Sequence, residues 1–195
     1  MTLIDFNFLS KIRLSEFLDQ QWMKNELKKN SHNILQWLYH FNNLTQFIST
    51  EIVLPGKVKD RKKLCVKFIH VAEHLLQLNN FASLMCLSAV FQSSCIVSLK
   101  HTLKEIPQKE LQKKNQINEL LSPKSGYLAF RKKLEGSSLP TIPYLGLYLT
   151  DIVFLEEGIR DNLGDQLIYW KKMEMLSSIL QRFKHFQQGS YQIEP

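Results

Sequence analysis

An all-α domain is what this sequence predicts, on three observations. Apolar residues recur three and four apart through most of its 195 residues, the spacing of one helix face. Alternation with period two is nowhere sustained, and Asn-Gly and Asp-Gly hairpin turns are absent. Proline and glycine fall between the periodic stretches, where they punctuate helices.

The elements follow in order. From Ser31, Ile34, Leu35, Leu38, Phe41, Leu44, Phe47 and Ile48 form one stripe, and Pro55-Gly56 ends it. A second long helix carries Leu64, Phe68, Val71, Ala72, Leu75 and Leu78 on one face. Asn79-Asn80 breaks it, and a third helix runs from about Phe81 to Phe91. Ser93 or Ser94 caps a fourth that reaches about Lys104. Ser122-Pro123 places a cap before a proline at the first helical position, and that helix ends near Gly136. Pro140 and Pro143 impose an extended entry. Helix signals resume at Leu145 and stop at Gly158, and a last helix spans about Gly164 to Gln188. With no low-complexity linker and no fixed-period repeat, residues 1–195 read as one domain.

Composition excludes several functions. Apolar residues make up 44% and charged residues 22%, as in ordinary globular chains. No uncharged apolar run is long enough to span a bilayer. Met1 to Asp5 lacks the basic region and apolar core of a secretory signal. Cys65, Cys86 and Cys95 form no C-x-x-C pair and lie in apolar helical stretches. They read as mostly buried thiols in a reducing compartment, so a cytoplasmic protein is expected. The net charge is +7, with lysines clustered at 24–29, 57–63 and 109–114. Acids and amides mix into these runs and no aromatic residues interleave, so they read as solvated surface and no nucleic-acid partner is expected. Without an amphipathic anchor, the charge supports salt-sensitive membrane adsorption at most.

Reactive motifs are few. His70-Val71-Ala72-Glu73-His74 has the H-x-x-E-H spacing of a zinc site. However, Val71 and Ala72 belong to the apolar stripe and no third ligand is evident, so no metal is expected. A hydrolase built on His70 and His74 stays as a lesser alternative. The chain has neither a G-x-S-x-G elbow nor a glycine-rich phosphate loop. No cofactor is implied, and the chain does not read as an enzyme.

Several blocks, in order, resemble Ras-family guanine-nucleotide exchange factor catalytic domains. Phe41, Asn42 and Leu44 followed by Thr50-Glu51-Ile52 resemble a first block. Lys67-Phe68-Ile69, Val71-Ala72 and Leu78-Asn79-Asn80-Phe81 resemble a second, with Ala82 in place of its last asparagine. Ser93-Ser94, Ile96, Leu99 and Thr102 resemble a third, and Tyr127 and Arg131 a paired motif with Phe130 in place of tyrosine. The most extended likeness is PTIPYLGLYLTDIVFLEEG at residues 140–158, against P-x-I-P-Y-L-G-x-Y-L-T-D-L-x-F-x-E-E-G. Phe186-Gln187 and Tyr191 resemble the closing F-Q-x-x-x-Y.

The resemblance implies a single irregular helical domain with a protruding hairpin, about residues 144–188, that releases GDP without covalent chemistry. It implies that Val153 crowds a magnesium site, that Glu157 faces a phosphate-binding loop, and that Thr150 stands beside them. Leu38, Tyr39, Asn42, Met85, Gln92, Val97, Tyr127 and Tyr144 align with partner-contacting positions, and Asn79 and Asn80 form a structural motif. The implied partner is a Ras-subfamily GTPase such as Ras, Rap or Ral, bound tightest when nucleotide-free by a monomer that reaches membranes peripherally through its partner. From spacing alone, Val153 and Glu157 share a helix face, and both are expected to be exposed. Gln92, Ser98, Leu103, Ile159 and residues 169–173 depart from the pattern, which leaves a non-catalytic GTPase-binding module as the alternative.

Overall fold

The computed structural model describes residues 1–159 and 169–192, and no strand occurs among them. Helix α1 (Thr2–Lys11) leads through 3-10 turns at Leu14–Gln20 and Lys28–Ser31 into α2 (His32–Val53). Then follow α3 (Val58–Gln77), α4 (Phe81–Gln92), the short α5 (Ser94–Val97) and α6 (Lys100–Lys104), α7 (Gln108–Leu120) and α8 (Lys124–Glu135). The C-terminal pair is α9 (Leu145–Gly158) and α10 (Trp170–Phe186).

The centre is α4. Its sequence FASLMCLSAVFQ contains no charge, and ten of its residues are buried. A helix apolar on every side belongs inside, and α1, α2, α3 and α7 pack around this one. The stripe read on α3 is rotated slightly: Cys65, Ile69, Ala72 and Leu75 are buried, whereas Leu64, Phe68 and Val71 are half-buried and Leu78 is exposed. Ile69 and Ala72 lie beside Leu87 and Phe91 of α4 because the sheath helix must meet a buried helix and not merely present an apolar stripe.

Local expectations fail where distant residues intervene. Ser31 precedes α2 but its hydroxyl donates to the Glu16 carbonyl oxygen, 2.8 Å away. The α2 cap is the Glu16 carboxylate, which accepts the Asn33 and Ile34 backbone N–H at 2.8 and 3.2 Å. Its negative charge meets the positive end of the helix. The single helix expected from Ser93 to Lys104 is two short ones, with Ser98 and Leu99 between them. At Ser122-Pro123 the chain passes through left-handed φ values at Ser125, Gly126 and Tyr127 before α8 becomes regular. Helices α1 and α7 had no strong apolar period to announce them: α1 buries only Thr2, Asp5 and Leu9, and α7 only Glu110 and Ile117. The expected start of the last helix at Gly164 lies outside the described residues. Cys95 is exposed, in contrast to buried Cys65 and Cys86, because it stands on a four-residue helix too short to cover both its faces.

The junction at Asn79-Asn80 organises the rest. Asn79 takes φ 52°, a left-handed value that asparagine tolerates at a helix end. The Asn80 side chain, fully buried, accepts the Ser83 backbone N–H at 3.1 Å and so caps α4. Its amide donates to Asp5 Oδ2 at 2.8 Å and Thr2 Oγ1 at 3.2 Å, and Ser83 also donates to Asp5. On the backbone, Ile142 N–H donates to Asn79 O at 3.0 Å and Phe81 N–H to Ile142 O at 2.9 Å. Three chain segments meet at one asparagine.

Asn80→Ala removes the cap and strips the buried Asp5 carboxylate of a donor. The expected loss is about 3 kcal/mol, read as a lower denaturation midpoint with an unchanged slope. A loss under about 1 kcal/mol would show that Asp5 finds another donor.

Candidate functional site

Helix α9 carries a two-sided pattern. Leu145, Leu147, Tyr148, Leu149, Ile152 and Leu155 are buried. Thr150, Val153, Phe154 and Glu157 fall at i, i+3, i+4 and i+7 and so share the opposite face. Thr150 and Glu157 are exposed and Phe154 is 71% exposed. Val153 is half-buried against the core, which corrects the expectation of a fully exposed side chain: lying next to Ile152, it meets the rim of the buried stripe. Phe154 was not singled out from the sequence, although its displacement from the Leu145–Leu149–Ile152 stripe was there to read.

Both ends of α9 are fixed. Ahead of it, Ile142 is held by the Asn79–Phe81 junction. Gly146 lets the Tyr144 ring fold over the first turn, since a Cβ there would meet the ring at 2.4 Å. At the far end, Lys172 from α10, 3% exposed, donates to the carbonyl oxygens of Glu156 at 3.2 Å and Ile159 at 2.7 Å. A cation on these terminal carbonyls complements the negative end of the helix and offsets the acids Glu156 and Glu157 placed there. Midway, Arg131 of α8 makes a two-pronged pair with Asp151, at 2.7 and 2.6 Å, and also donates to Gly126 O at 2.8 Å. Hydrogen bonding to Asp151, against partial desolvation, holds the Arg131 guanidinium above its ordinary pKa. Burial, with Tyr127 nearby, pushes the Tyr144 phenol up.

The other candidates gather unevenly. Tyr144 joins α9 to α2 through Phe41, whose ring centroid is 5.8 Å away, and to Tyr127, which is half-buried. On α2, Tyr39 is 70% exposed, Asn42 is exposed and Leu38 is half-buried. Helix α5, packed on α2 and α4, shows Val97 at 51% exposure. Gln92 is exposed but its amide donates to Ser88 Oγ at 2.8 Å. Met85 departs from the expectation: it is buried, 9% exposed, because every side of α4 is covered. Asn79 and Asn80 are the structural junction described above.

The H-x-x-E-H histidines diverge. His70 Nε2 lies 2.9 Å from Glu110 of α7, whereas His74 meets Gln77 at 3.3 Å. His70, Glu73 and Glu110 do cluster, with ligand atoms within 4.8 Å, and Glu110 is a third group the sequence did not reveal. Lys113 binds both carboxylates, Glu73 at 2.8 Å and Glu110 at 3.3 Å. Its ammonium, hydrogen-bonded first to Glu73, is held above the ordinary lysine value and supplies the charge a cation would bring.

Thiol accessibility reports on this surface, since Cys95 lies between Gln92 and Val97. Burial pushes the Cys65 and Cys86 thiols up to about 11, so they stay protonated at neutral pH. An aromatic disulfide reagent should modify Cys95 promptly and the other two only in denaturant. Prompt reaction of all three would contradict the packing around α4.

Comparison with known proteins agrees with this architecture. The family described as the RasGEF domain matches residues 1–174. Over its whole length the chain is 35% identical to Ras guanine nucleotide exchange factor J of Dictyostelium discoideum, of which it covers 24%. It is 32% identical to Ras guanine nucleotide exchange factor P of the same organism, covering 13% of it. It is 31% identical to Ras-specific guanine nucleotide-releasing factor 1 of Mus musculus, covering 16% of it. The chain thus spans a quarter or less of these relatives. With the family matched across α1 to the start of α10, the chain belongs to the RasGEF domain family.

Proposed function

We propose that this chain promotes GDP release from a Ras-subfamily small GTPase such as Ras, Rap or Ral by presenting the outer face of α9 to the nucleotide site. The observation that carries the reading is that face: an acid, Glu157, one turn beyond an apolar side chain, Val153, on a helix held at both ends and at its middle. The names of the relatives support the partner class.

In this mechanism no bond is made or broken. Glu157 offers its carboxylate to backbone N–H groups that otherwise hold phosphate, and Val153 crowds the space of the magnesium ion. Thr150 is spent within the helix, its hydroxyl donating to Gly146 O at 2.8 Å, so its part is to shape the surface. Phe154, Tyr39 and Val97 supply exposed apolar area that compensates the partner for its lost nucleotide. Gly146 belongs to the same design because it lets Tyr144 lie flat. The chain acts as a monomer in the cytoplasm and meets membranes peripherally where its partner does. A second reading, a GTPase-binding module without exchange activity, has one observation in its favour: the Gln92 amide is turned inward to Ser88.

Thermodynamics separates the two. A GTPase holding nucleotide at a Kd near 1 pM does so with about 16 kcal/mol. An exchange factor leaves the overall equilibrium unchanged and binds the empty GTPase best, so each ligand weakens the other by the same factor. A stable complex with nucleotide-free GTPase is expected on gel filtration, dissolving when GDP or GTP is added with magnesium. A complex that survives excess nucleotide, with no faster release of fluorescent GDP, would leave the binding module standing.

The variants sharpen the test. Glu157→Ala should slow GDP release at least about tenfold, or about 1.4 kcal/mol, while changing stability by under about 0.5 kcal/mol. Val153→Ala should slow release too, but its half-burial adds a stability cost of about 1 kcal/mol. Normal release from Glu157→Ala would remove the carboxylate from the mechanism.

A further inference from the structure

We infer that the corner where α2 turns into α3 is a contact surface for an anionic lipid bilayer. Helix α2 ends in an apolar pair left in water: Val53 is 40% exposed and Leu54 is 75% exposed. Helix termini can hide such residues by folding back, but this turn is fixed outward. Arg61 donates from Nη1 to Pro55 O at 2.8 Å and Gly56 O at 3.2 Å, and from Nε to Thr102 Oγ1 at 3.0 Å. Thr102 is 1% exposed. One guanidinium therefore ties the turn to α6, with its Nε and Nη1 donors used within the protein.

The lysines around it are used differently. Lys57 and Lys59 follow the turn, and Lys62 lies one helical turn further on. Helix α6 brings His101 and Lys104 to the same place. Lys59, Lys62, His101 and Lys104, with Val58 and Glu105, line an open concavity of about 660 Å³. Among the described residues, Lys57, Lys59, Lys62 and Lys104 have no acid within salt-bridge distance, whereas Lys63 approaches Asp60 at 4.0 Å. Converging like charges repel, and three lysines here share the concavity with a single acid, Glu105, with which none of them makes an ion pair.

An exposed apolar tip followed at once in the chain by lysines suits a membrane surface. The tip enters the acyl boundary, and the ammonium groups meet headgroup phosphates in the attractive potential of an anionic leaflet. A nucleic acid would want bases stacked on aromatic rings, and no Phe, Tyr or Trp side chain lines the concavity. The exposed Leu54 would gain nothing from a phosphate backbone. The apolar tip also stands apart from Tyr39 of the candidate GTPase face: Leu54 is fifteen residues beyond it, roughly 22 Å along the α2 axis. The inference needs no GTPase and does not depend on the exchange reading.

The test is flotation of the chain with vesicles of phosphatidylcholine alone or mixed with phosphatidylserine. Binding is expected only to the mixed vesicles, and it should weaken as salt rises. At about fivefold per lysine, Lys59→Gln with Lys104→Gln should lower the partition about 25-fold. Lys109→Gln with Lys114→Gln on α7 changes net charge equally and should lower it far less. Leu54→Ser should weaken binding about tenfold while retaining the helical circular dichroism and melting temperature of the parent. Equal loss in the two charge-matched doubles would reduce the effect to net charge and overturn the inference. So would equal partition to neutral and anionic vesicles, or an unaffected Leu54→Ser variant. Binding to a duplex oligonucleotide as strong as to vesicles and indifferent to Leu54 would overturn it in favour of nucleic acid.

Discussion

Ile142 is bonded on both sides of Asn80, and the placement of α9 follows from that. Its N–H reaches Asn79 and its carbonyl receives Phe81, so the extended segment ahead of α9 is stitched to the start of α4. Because α4 is the most buried helix, α9 inherits a fixed origin. Asn80 performs two tasks: it caps α4 and it anchors α1 through Asp5 and Thr2, while its neighbour Asn79 turns the chain. A buried carboxylate and amide that satisfy each other are stabilising as a set and costly if halved. The C-terminal tail closes the same region. The Tyr191 hydroxyl donates to Leu78 O at 2.7 Å and Pro140 O at 3.2 Å. Gly189 passes so near Pro140 that a Cβ would come within 2.9 Å of its backbone. The Gln187 amide donates to Leu9 O and Ile12 O, both at 2.8 Å, and closes the end of α1.

In the proposed mechanism α9 presses on another protein, and so has to resist being pushed back. Helix α9 meets that demand by bracing at three points of different chemistry. The junction at its start is backbone hydrogen bonding, the Arg131–Asp151 pair at its middle is a bidentate charge contact, and Lys172 at its end is a buried cation on carbonyl dipoles. The two charged braces come from α8 and α10, the helices that precede and follow α9 in the chain, so the orientation of α9 is set from both sides. Binding energy is then not spent on ordering the helix. The burial of Tyr148 against Phe183 and Phe186, with ring centroids 5.2 and 6.5 Å apart, adds an aromatic wedge between α9 and α10.

The sequence made the fold class and the family resemblance legible because both rest on local pattern. Periodicity found α2, α3 and α9, and the break at Asn79-Asn80 placed α4, although not its position at the centre. It did not find what depends on distant partners. Glu16 looks like a surface acid until α2 is brought to it. Gln187 and Tyr191 could be matched to a closing motif, but only the fold shows that they cap α1 and tether residues 78 and 140. Lys172 reads as one of two adjacent lysines, yet it is 3% exposed and its neighbour Lys171 is exposed. For the candidate site, the residue types along α9 were readable. The depth of each side chain was not, since Val153, Met85 and Phe154 differ in burial by what neighbouring helices cover.

The braces also bear on how the proposed mechanism displaces a tightly held ligand without covalent chemistry. In the proposed mechanism the chain must supply, through contacts with an emptied partner, free energy comparable to what that partner loses. Exposed apolar side chains are the means, and a soluble protein can leave only a limited area of them in water. Tyr39, Val97 and Phe154 are therefore spread over α2, α5 and α9, where no single patch grows large. Spreading works only if the three helices keep their relative positions, because contacts made in sequence with a moving surface would forfeit the gain in ordering cost. That requirement is met by burying α4 beneath α2 and α5 and by stitching α9 to the start of α4. Helix α4, with ten buried residues and no charge, is the support that in this mechanism lets the exposed residues of the others act together.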